Sequence, residues 1–486
     1  MLGNRIASRK GDFRGCRIAW FSFLVCLAAP ARAESYLKVS GVAWSQYQNG
    51  LTPMYKGAAN FDYNPFFGAG GLLLLNGRPG DNWETNLSVG VGYGNSAIKK
   101  TIRNQSDLVI SKTNPNSISL GMSAFLHEAD FAYAKGPLAL KVGKFHYSYS
   151  DYNSNMGLYL LRGPVYPGFI YSGFDEIGGL TKVGALGSWS PSPSLRWDVL
   201  ANFETEFKPY MDLNLSGFLT YKLGMLELGA GVESQRLVEF NSCVTSPEDG
   251  ADLDECLGGD PGSSYVGPGA DLYKGAFFVI DTTNKASTGK ADTTTFSLAG
   301  TKMMVRGAID FKPILPGYQG SPKDFVFYFE LALLGVKDYP HIYEKKSERM
   351  PLLAGFNLPT FGWLNLLSVE IEYYDSPYQN DPYKLNGAYD VFSFSDGNSI
   401  NYAMSPIPPS NKAGEGHLSK ASVDFDPSKD NWKWSVYLAR KLQDRITLKA
   451  QLASDHWRVP NNNFVQYEVL SKPGQVYGSI KVDYAL

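Results

Sequence analysis

Cysteine is scarce in this chain. There are four in 486 residues, and two of them, Cys16 and Cys26, fall in the first 33. The other two, Cys243 and Cys256, lie close together in a stretch rich in Gly, Asp and Pro. In an oxidising compartment they are expected to pair and close a loop. A zinc site competes with that reading, but two cysteines without a histidine nearby are a poor ligand set. An excess of basic charge is missing too. The 45 Lys and Arg against 47 Asp and Glu give a net charge of −2 and no basic field for nucleic acid. The histidines His127, His146, His341, His417 and His456 are scattered, without metal-type spacing. The chain has no nucleophile elbow, no zincin helix motif, no phosphate loop and no dinucleotide fingerprint, so neither an enzyme activity nor a cofactor is expected. After residue 33 no apolar run approaches the roughly 20 residues that a membrane helix needs. That excludes a helical membrane protein. Helical periodicity never lasts beyond two turns. No repeat of roughly 20–50 residues suggests a propeller or solenoid.

The first 33 residues read as a targeting segment. Arg5, Arg9, Lys10, Arg14 and Arg17 precede the apolar run from Ile18 to Ala29, and Ala31-Arg32-Ala33 has the small-x-small form of a cleavage site. The run is too short to span a bilayer. Residues 1–33 are therefore expected to be a signal peptide and 34–486 the mature protein. Without the six basic residues and one acidic residue of the leader, the mature net charge is −7.

Aromatics and glycine are plentiful, at 14% Phe, Trp and Tyr and 50 glycines. Both fall into a two-residue alternation, which in a strand sends successive side chains to opposite faces. Residues 83–94 carry it most clearly. Trp83, Thr85, Leu87, Val89, Val91 and Tyr93 share one face, and Glu84, Asn86, Ser88 and three glycines share the other. Reading the same pattern along the chain predicts strands at 36–47, 66–77, 83–94, 118–134, 138–147, 180–189, 195–206, 211–222, 225–235, 295–311, 325–336, 350–358, 364–374, 432–441, 445–457 and 475–486. The count is sixteen, within a range of fourteen to eighteen, since single-sequence boundaries are good to about two to four residues.

The connections are sorted by length. Tight turns follow strands four, six, eight, twelve and fourteen. Long segments (95–117, 148–179, 236–294, 375–431 and 458–474) follow odd-numbered strands. Short turns at one end and long loops at the other are the layout of a transmembrane antiparallel β-barrel, with short periplasmic turns and long extracellular loops. Closure is required because lipid offers no partner to an unpaired backbone group. Within 236–294, the stretch KGAFFVIDTT suggests an extra hairpin. Glu248 to Glu255 offers oxygen ligands but lacks the calcium-loop pattern, so a solvated acidic loop is expected there.

The last strand, VYGSIKVDYAL, alternates Val476, Gly478, Ile480, Val482, Tyr484 and Leu486 against Tyr477, Ser479, Lys481, Asp483 and Ala485. It resembles the terminal strand of Gram-negative outer-membrane β-barrels, although Leu486 stands where that family usually has Phe. The resemblance implies insertion in the outer membrane, in contact with its lipid, through the barrel-assembly machinery acting on this strand. The layout is similar to that of sixteen-stranded porins. In those the third external loop folds inward and narrows the channel, and trimers are frequent, so the resemblance allows a homotrimer.

Residues 148–179 would be that loop. Tyr149, Tyr152, Tyr159, Tyr166, Phe169, Tyr171 and Phe174 are too apolar to stand in water. An inward fold would bury them, and so would packing on the rim or on a neighbouring subunit. Arg162 and Asp175 are its candidates for a constriction. Candidate pore-lining charges on the strands are Lys302, Arg306, Glu370, Glu372, Lys433, Arg445, Lys449 and Lys481. Both signs are present, which gives no strong ion preference. The expected function is passive, porin-like diffusion of small hydrophilic solutes, with saccharides as the finer reading. The alternatives are a non-conducting barrel whose loops bind a surface ligand, and a barrel hydrolase using His146 with Ser148 or Ser150.

Overall fold

The computed structural model describes residues 36–51, 61–63, 66–94, 98–100, 121–150, 152, 169, 173–174, 180–203, 211–238, 276–281, 292–297, 300–338, 345–373, 432–454, 458–459, 467–468 and 476–486. The leader, Cys243, Cys256, Arg162, Asp175 and the acidic stretch 248–255 lie outside the described residues.

Sixteen strands close on themselves in chain order. They are β1 (Tyr36–Gly50), β2 (Phe66–Gly80), β3 (Trp83–Gly94), β4 (Gly121–Lys135), β5 (Leu138–His146), β6 (Leu180–Ser192), β7 (Leu195–Phe203), β8 (Leu213–Leu223), β9 (Leu226–Val238), β10 (Gly300–Asp310), β11 (Val326–Leu333), β12 (Leu352–Asn357), β13 (Leu366–Tyr373), β14 (Trp432–Leu442), β15 (Ile446–Ser454) and β16 (Val476–Ala485). Each of the sixteen predicted strands has its counterpart. Every barrel pairing is antiparallel, and β16 seals the barrel by pairing with β15 on one side and β1 on the other. At the seam, the backbone N–H of Leu486 donates to the carbonyl of Gly41 at 2.8 Å.

The turns follow the even strands, as expected. Gly136 and Gly224 take φ of +59° and +58° in two of them. Between β14 and β15, Gln443 and Asp444 both have positive φ (50° and 59°) in a three-residue turn that Arg445 completes. The turn from β10 to β11 is longer and contains the short 3-10 helix Lys312–Ile314. It is fixed by Asp324, fully buried, whose carboxylate accepts from the backbone N–H groups of Ser321 and Thr360 at 3.0 and 3.1 Å, from the Thr360 hydroxyl at 2.9 Å, and from the Tyr318 hydroxyl. One carboxylate thus ties two neighbouring turns together.

One predicted strand needs correction. The segment 295–311 is divided between two sheets. Asp292–Ser297 pairs with Ala276–Asp281 in a separate hairpin, and β10 begins at Gly300. The Thr-rich run alternates as well as a barrel strand does, so periodicity alone could not separate the two. The KGAFFVIDTT stretch supplies the other arm of that hairpin.

The two faces of the wall have opposite character. Leu87, Val89 and Leu215, in the middle of their strands, are 42%, 41% and 39% exposed and face outward with Val142, Val199, Val305, Ile371 and Ile480. An exposed apolar band this continuous has hydrocarbon as its natural surroundings. Aromatics flank it. Trp83, Trp189, Trp197, Tyr221, Trp363 and Tyr484 are exposed at the turn end, and Tyr47, Phe67, Tyr93 and Trp432 at the loop end. These are the two girdles of a membrane barrel. The inward set on β8 is the polar half of its alternation, with Asn214 and Ser216 buried, as is Asp212 just before the strand.

Candidate functional site

Among the described residues the lumen has two unlike sides, one covered by loop aromatics and one, the open side, whose paired charges stay partly exposed. The covered side is built on β5 to β13. Immediately after β5, the chain turns Tyr147 and Tyr149 into the barrel, and Phe169 of the same loop joins them. All three pack around Phe218 of β8. Tyr149 stacks on its ring with centroids 5.1 Å apart, Tyr147 lies at 5.6 Å, and Phe169 meets it edge-on at 5.9 Å. Tyr152 stacks on Tyr328 of β11 at 6.0 Å. The inward fold is therefore the way these described aromatics escape water.

Their polar ends are satisfied by the wall. The Tyr149 hydroxyl donates to Glu330 at 2.8 Å and the Tyr147 hydroxyl to Asp198 at 3.0 Å. Burial, and then the charge of Asp198, push the Tyr147 hydroxyl well above the ordinary phenol range, so it stays a donor. Lys302 donates to the carbonyl of Phe169 at 3.2 Å and pairs with Glu233 at 3.5 Å. Glu233 also accepts from Ser216. Such buried pairs hold together because each charge keeps several partners.

Arg306 joins the covered side to a cavity. It donates to Glu227 at 2.6 Å and to Thr220 at 2.7 Å, and its guanidinium lies 5.4 Å from the centre of the Tyr149 ring. Its cross-strand partner is Gly229, where a Cβ would come within 2.6 Å of the Arg306 side chain, so glycine leaves room for it. The cavity beside Arg306 has a volume of about 250 Å³. Tyr149, Tyr152, Ser148, Ser190, Ser192, Ser194, Arg196 and Lys222 help to line it.

The open side runs from β15 through β16 to β1–β3. Lys449 pairs with Asp483 at 2.7 Å, and Lys481 lies 3.7 Å from the same carboxylate, with 35%, 17% and 18% of the three side chains exposed. Lys481 also stands 5.5 Å above the ring of Trp44. On β2 and β3, Asn76 donates to Glu84 and Asn86, and Asn86 passes the chain on to Asp130 of β4.

The sequence-predicted charges divide accordingly. Lys302, Arg306, Glu370, Glu372 and Lys433 belong to the inward set, but each is nearly or fully buried. Glu370 accepts from Tyr328 at 2.5 Å, and the register sets Glu372 opposite Lys433. Lys449 and Lys481 lie on the open side, paired with Asp483 and partly exposed. Arg445, expected on a strand, is an exposed residue of the β14–β15 turn, because the strand starts one residue later. Ser148 gives its hydroxyl to the carbonyl of Ser150, and Nδ1 of His146 lies 2.9 Å from Glu128, so the proposed serine–histidine pair is turned to other partners. The network of Asp198 with Tyr147, Ser188 and Arg196 was missed in the sequence, as was Glu330.

Together the fold and the site define a closed transmembrane β-barrel, as the sequence reading expected, with Tyr147, Tyr149 and Phe169 turned into its lumen, one of the placements which that reading left open. Among solved structures the chain is similar to mutants of Rhodopseudomonas blastica porin. A triple mutant is 7% identical, with 93% of this chain and 100% of that chain covered and a TM-score of 0.42. A further variant matches at 7% identity with the same coverage and a TM-score of 0.43. At such identity no residue of this chain takes its role from theirs. No protein-family model matches the sequence, and no curated protein is similar to it.

Proposed function

We propose that this protein is an outer-membrane channel through which small hydrophilic solutes diffuse passively. The observation that carries the reading is the contrast across one wall: exposed apolar residues outside, and charged residues of both signs inside. The passage would run along the open side, past Lys449, Lys481, Asp483 and Glu84, opposite the wall covered by Tyr147, Tyr149 and Phe169. No covalent chemistry is needed. The leader 1–33 would direct export across the inner membrane of a Gram-negative cell. The terminal strand would be read by the barrel-assembly machinery, and a homotrimer is the assembly to test first.

The finer reading is a saccharide. At the cavity, the aromatic faces of Tyr149 and Tyr152 stand beside four serine residues and Arg306. A sugar ring offers an apolar face to stack and hydroxyls to bond, and this lining matches both needs. A second reading, a non-conducting barrel whose loops bind a surface ligand, is favoured by the full burial of Lys302, Glu233 and Glu370, since a solute cannot touch charges that water does not reach. A hydrolase has less support, because the hydroxyl of Ser148 is already engaged.

Conductance in planar bilayers, with swelling of proteoliposomes in sugar solutions, tests the proposal. Discrete, ohmic channels and sugar-dependent swelling are expected. Folded protein that inserts but neither conducts nor admits sugars would remove the channel and leave the binding barrel.

A further inference from the structure

We propose that His127, Glu128 and His146 form a binding site for one divalent transition-metal ion of the zinc type, at the loop end of the β4–β5 hairpin. Two imidazoles and a carboxylate are a donor set such ions accept, with a remaining position for water. Each residue offers a ligand atom, and these atoms all lie within 4.8 Å of one another. Bonds of roughly 2.0–2.2 Å at tetrahedral angles place ligand atoms about 3.3–3.5 Å apart. The group therefore needs to contract by about an ångström to hold an ion.

The backbone brings the three together by two departures from a regular ladder. First, β4 carries a bulge. Ser88 pairs with Glu128 and Val89 with Leu126, which leaves His127 as the extra residue. Bulges re-aim side chains, and they are over-represented beside functional sites. Second, the β4–β5 ladder ends at the pair Ala129 and Lys144. Beyond it the strands part, and the Glu128 carboxylate enters the gap. There it accepts from the backbone N–H of His146 at 3.3 Å and lies 2.9 Å from its Nδ1. The two imidazoles face each other with centroids 4.3 Å apart. About a quarter of the Glu128 and His146 side chains remains exposed, at 24% and 29%, which leaves an entry path.

The site has a place in the molecule. Tyr147 and Tyr149, which carry the loop into the lumen, follow His146 directly. An ion held by β4 and by the last residue of β5 would fasten the base of that loop. The inference depends on the fold, not on conduction.

The test is titration of the full-length protein, produced without a polyhistidine tag and folded in detergent, with zinc chloride by calorimetry and with cobalt(II) by visible absorption. Heat-modifiable gel migration checks that each sample is folded. One equivalent of zinc is expected, with Kd at least tenfold weaker in His127→Ala and in His146→Ala. Cobalt should give a visible band without the near-ultraviolet charge transfer of a thiolate ligand. No saturable binding, an unchanged Kd in the doubly substituted His127→Ala, His146→Ala protein, or a thiolate signature pointing to Cys243 and Cys256 would overturn the proposal. The cobalt spectrum needs no substitution, so it decides even if a variant fails to fold.

Discussion

Tyr149 donates its hydroxyl to Glu330 at 2.8 Å, closing a contact between residues 181 positions apart in the chain. This bond, and the stack of Tyr149 on Phe218, hold the start of the third loop against the far wall. Tyr149→Phe keeps the ring and removes the donor. A hydrogen bond to a buried charged group is worth about 1.5–3 kcal/mol. The variant should unfold at lower denaturant and show a larger single-channel conductance, as the loop start loosens. Equal conductance together with an equal unfolding midpoint would mean that the bond does not hold the loop.

Arg306 should set the charge of the cavity. It faces Glu227, which Lys222 also approaches, at 3.3 Å. Arg306→Ala removes one positive charge and leaves Glu227 with the lysine, whose side chain is 58% exposed. The reversal potential in a salt gradient is expected to move toward cation preference. Gly229→Ala should shift it in the same sense by displacing the guanidinium without removing it.

Asp324 should matter for stability and little for transport. It is fully buried in the turn end and accepts from two neighbouring turns. Asp324→Ala leaves several donors without their acceptor, at about 1–3 kcal/mol for each that water cannot reach. A clear drop in the urea midpoint in detergent is expected, with conductance of the folded fraction unchanged.

The strands were legible because hydrocarbon outside and water inside impose a period of two that no soluble layer imposes so uniformly. Val476 to Leu486 shows this, with Ile480, Tyr484 and Leu486 exposed on the outward face and Lys481 and Asp483 paired on the inward one. The inward loop was half legible. The aromatics of 148–179 demanded burial, but only packing on Phe218 decides where. Residues 295–297 were given to the barrel strand because a hairpin separate from the barrel sheet alternates as a barrel strand does, while 292–294 fell in the loop where a hairpin was expected. His127 and His146 looked scattered by spacing along the chain. They are equidistant from the Gly136-Pro137 turn, so hairpin register would have paired them, although the bulge is invisible to periodicity.

Position in the wall should decide the effect of a charge. Val89 lies at the centre of β3 on the outward face, and Gln451 at the centre of β15 on the inward face, where it donates to Ser435. Val89→Arg is expected to cost about 2–4 kcal/mol in folding into phospholipid vesicles, as for a charge at mid-membrane. Gln451→Arg should cost far less.

The most direct measurement places a spin label at Val89→Cys or at Gln451→Cys, in a Cys243→Ser, Cys256→Ser background reconstituted into vesicles. Its accessibility to oxygen, which concentrates in lipid, is compared with that to a water-soluble nickel chelate. The account predicts oxygen-dominated relaxation at position 89 and chelate-dominated relaxation at position 451. Equal exposure of both labels to the chelate would contradict a barrel with lipid outside and solvent within.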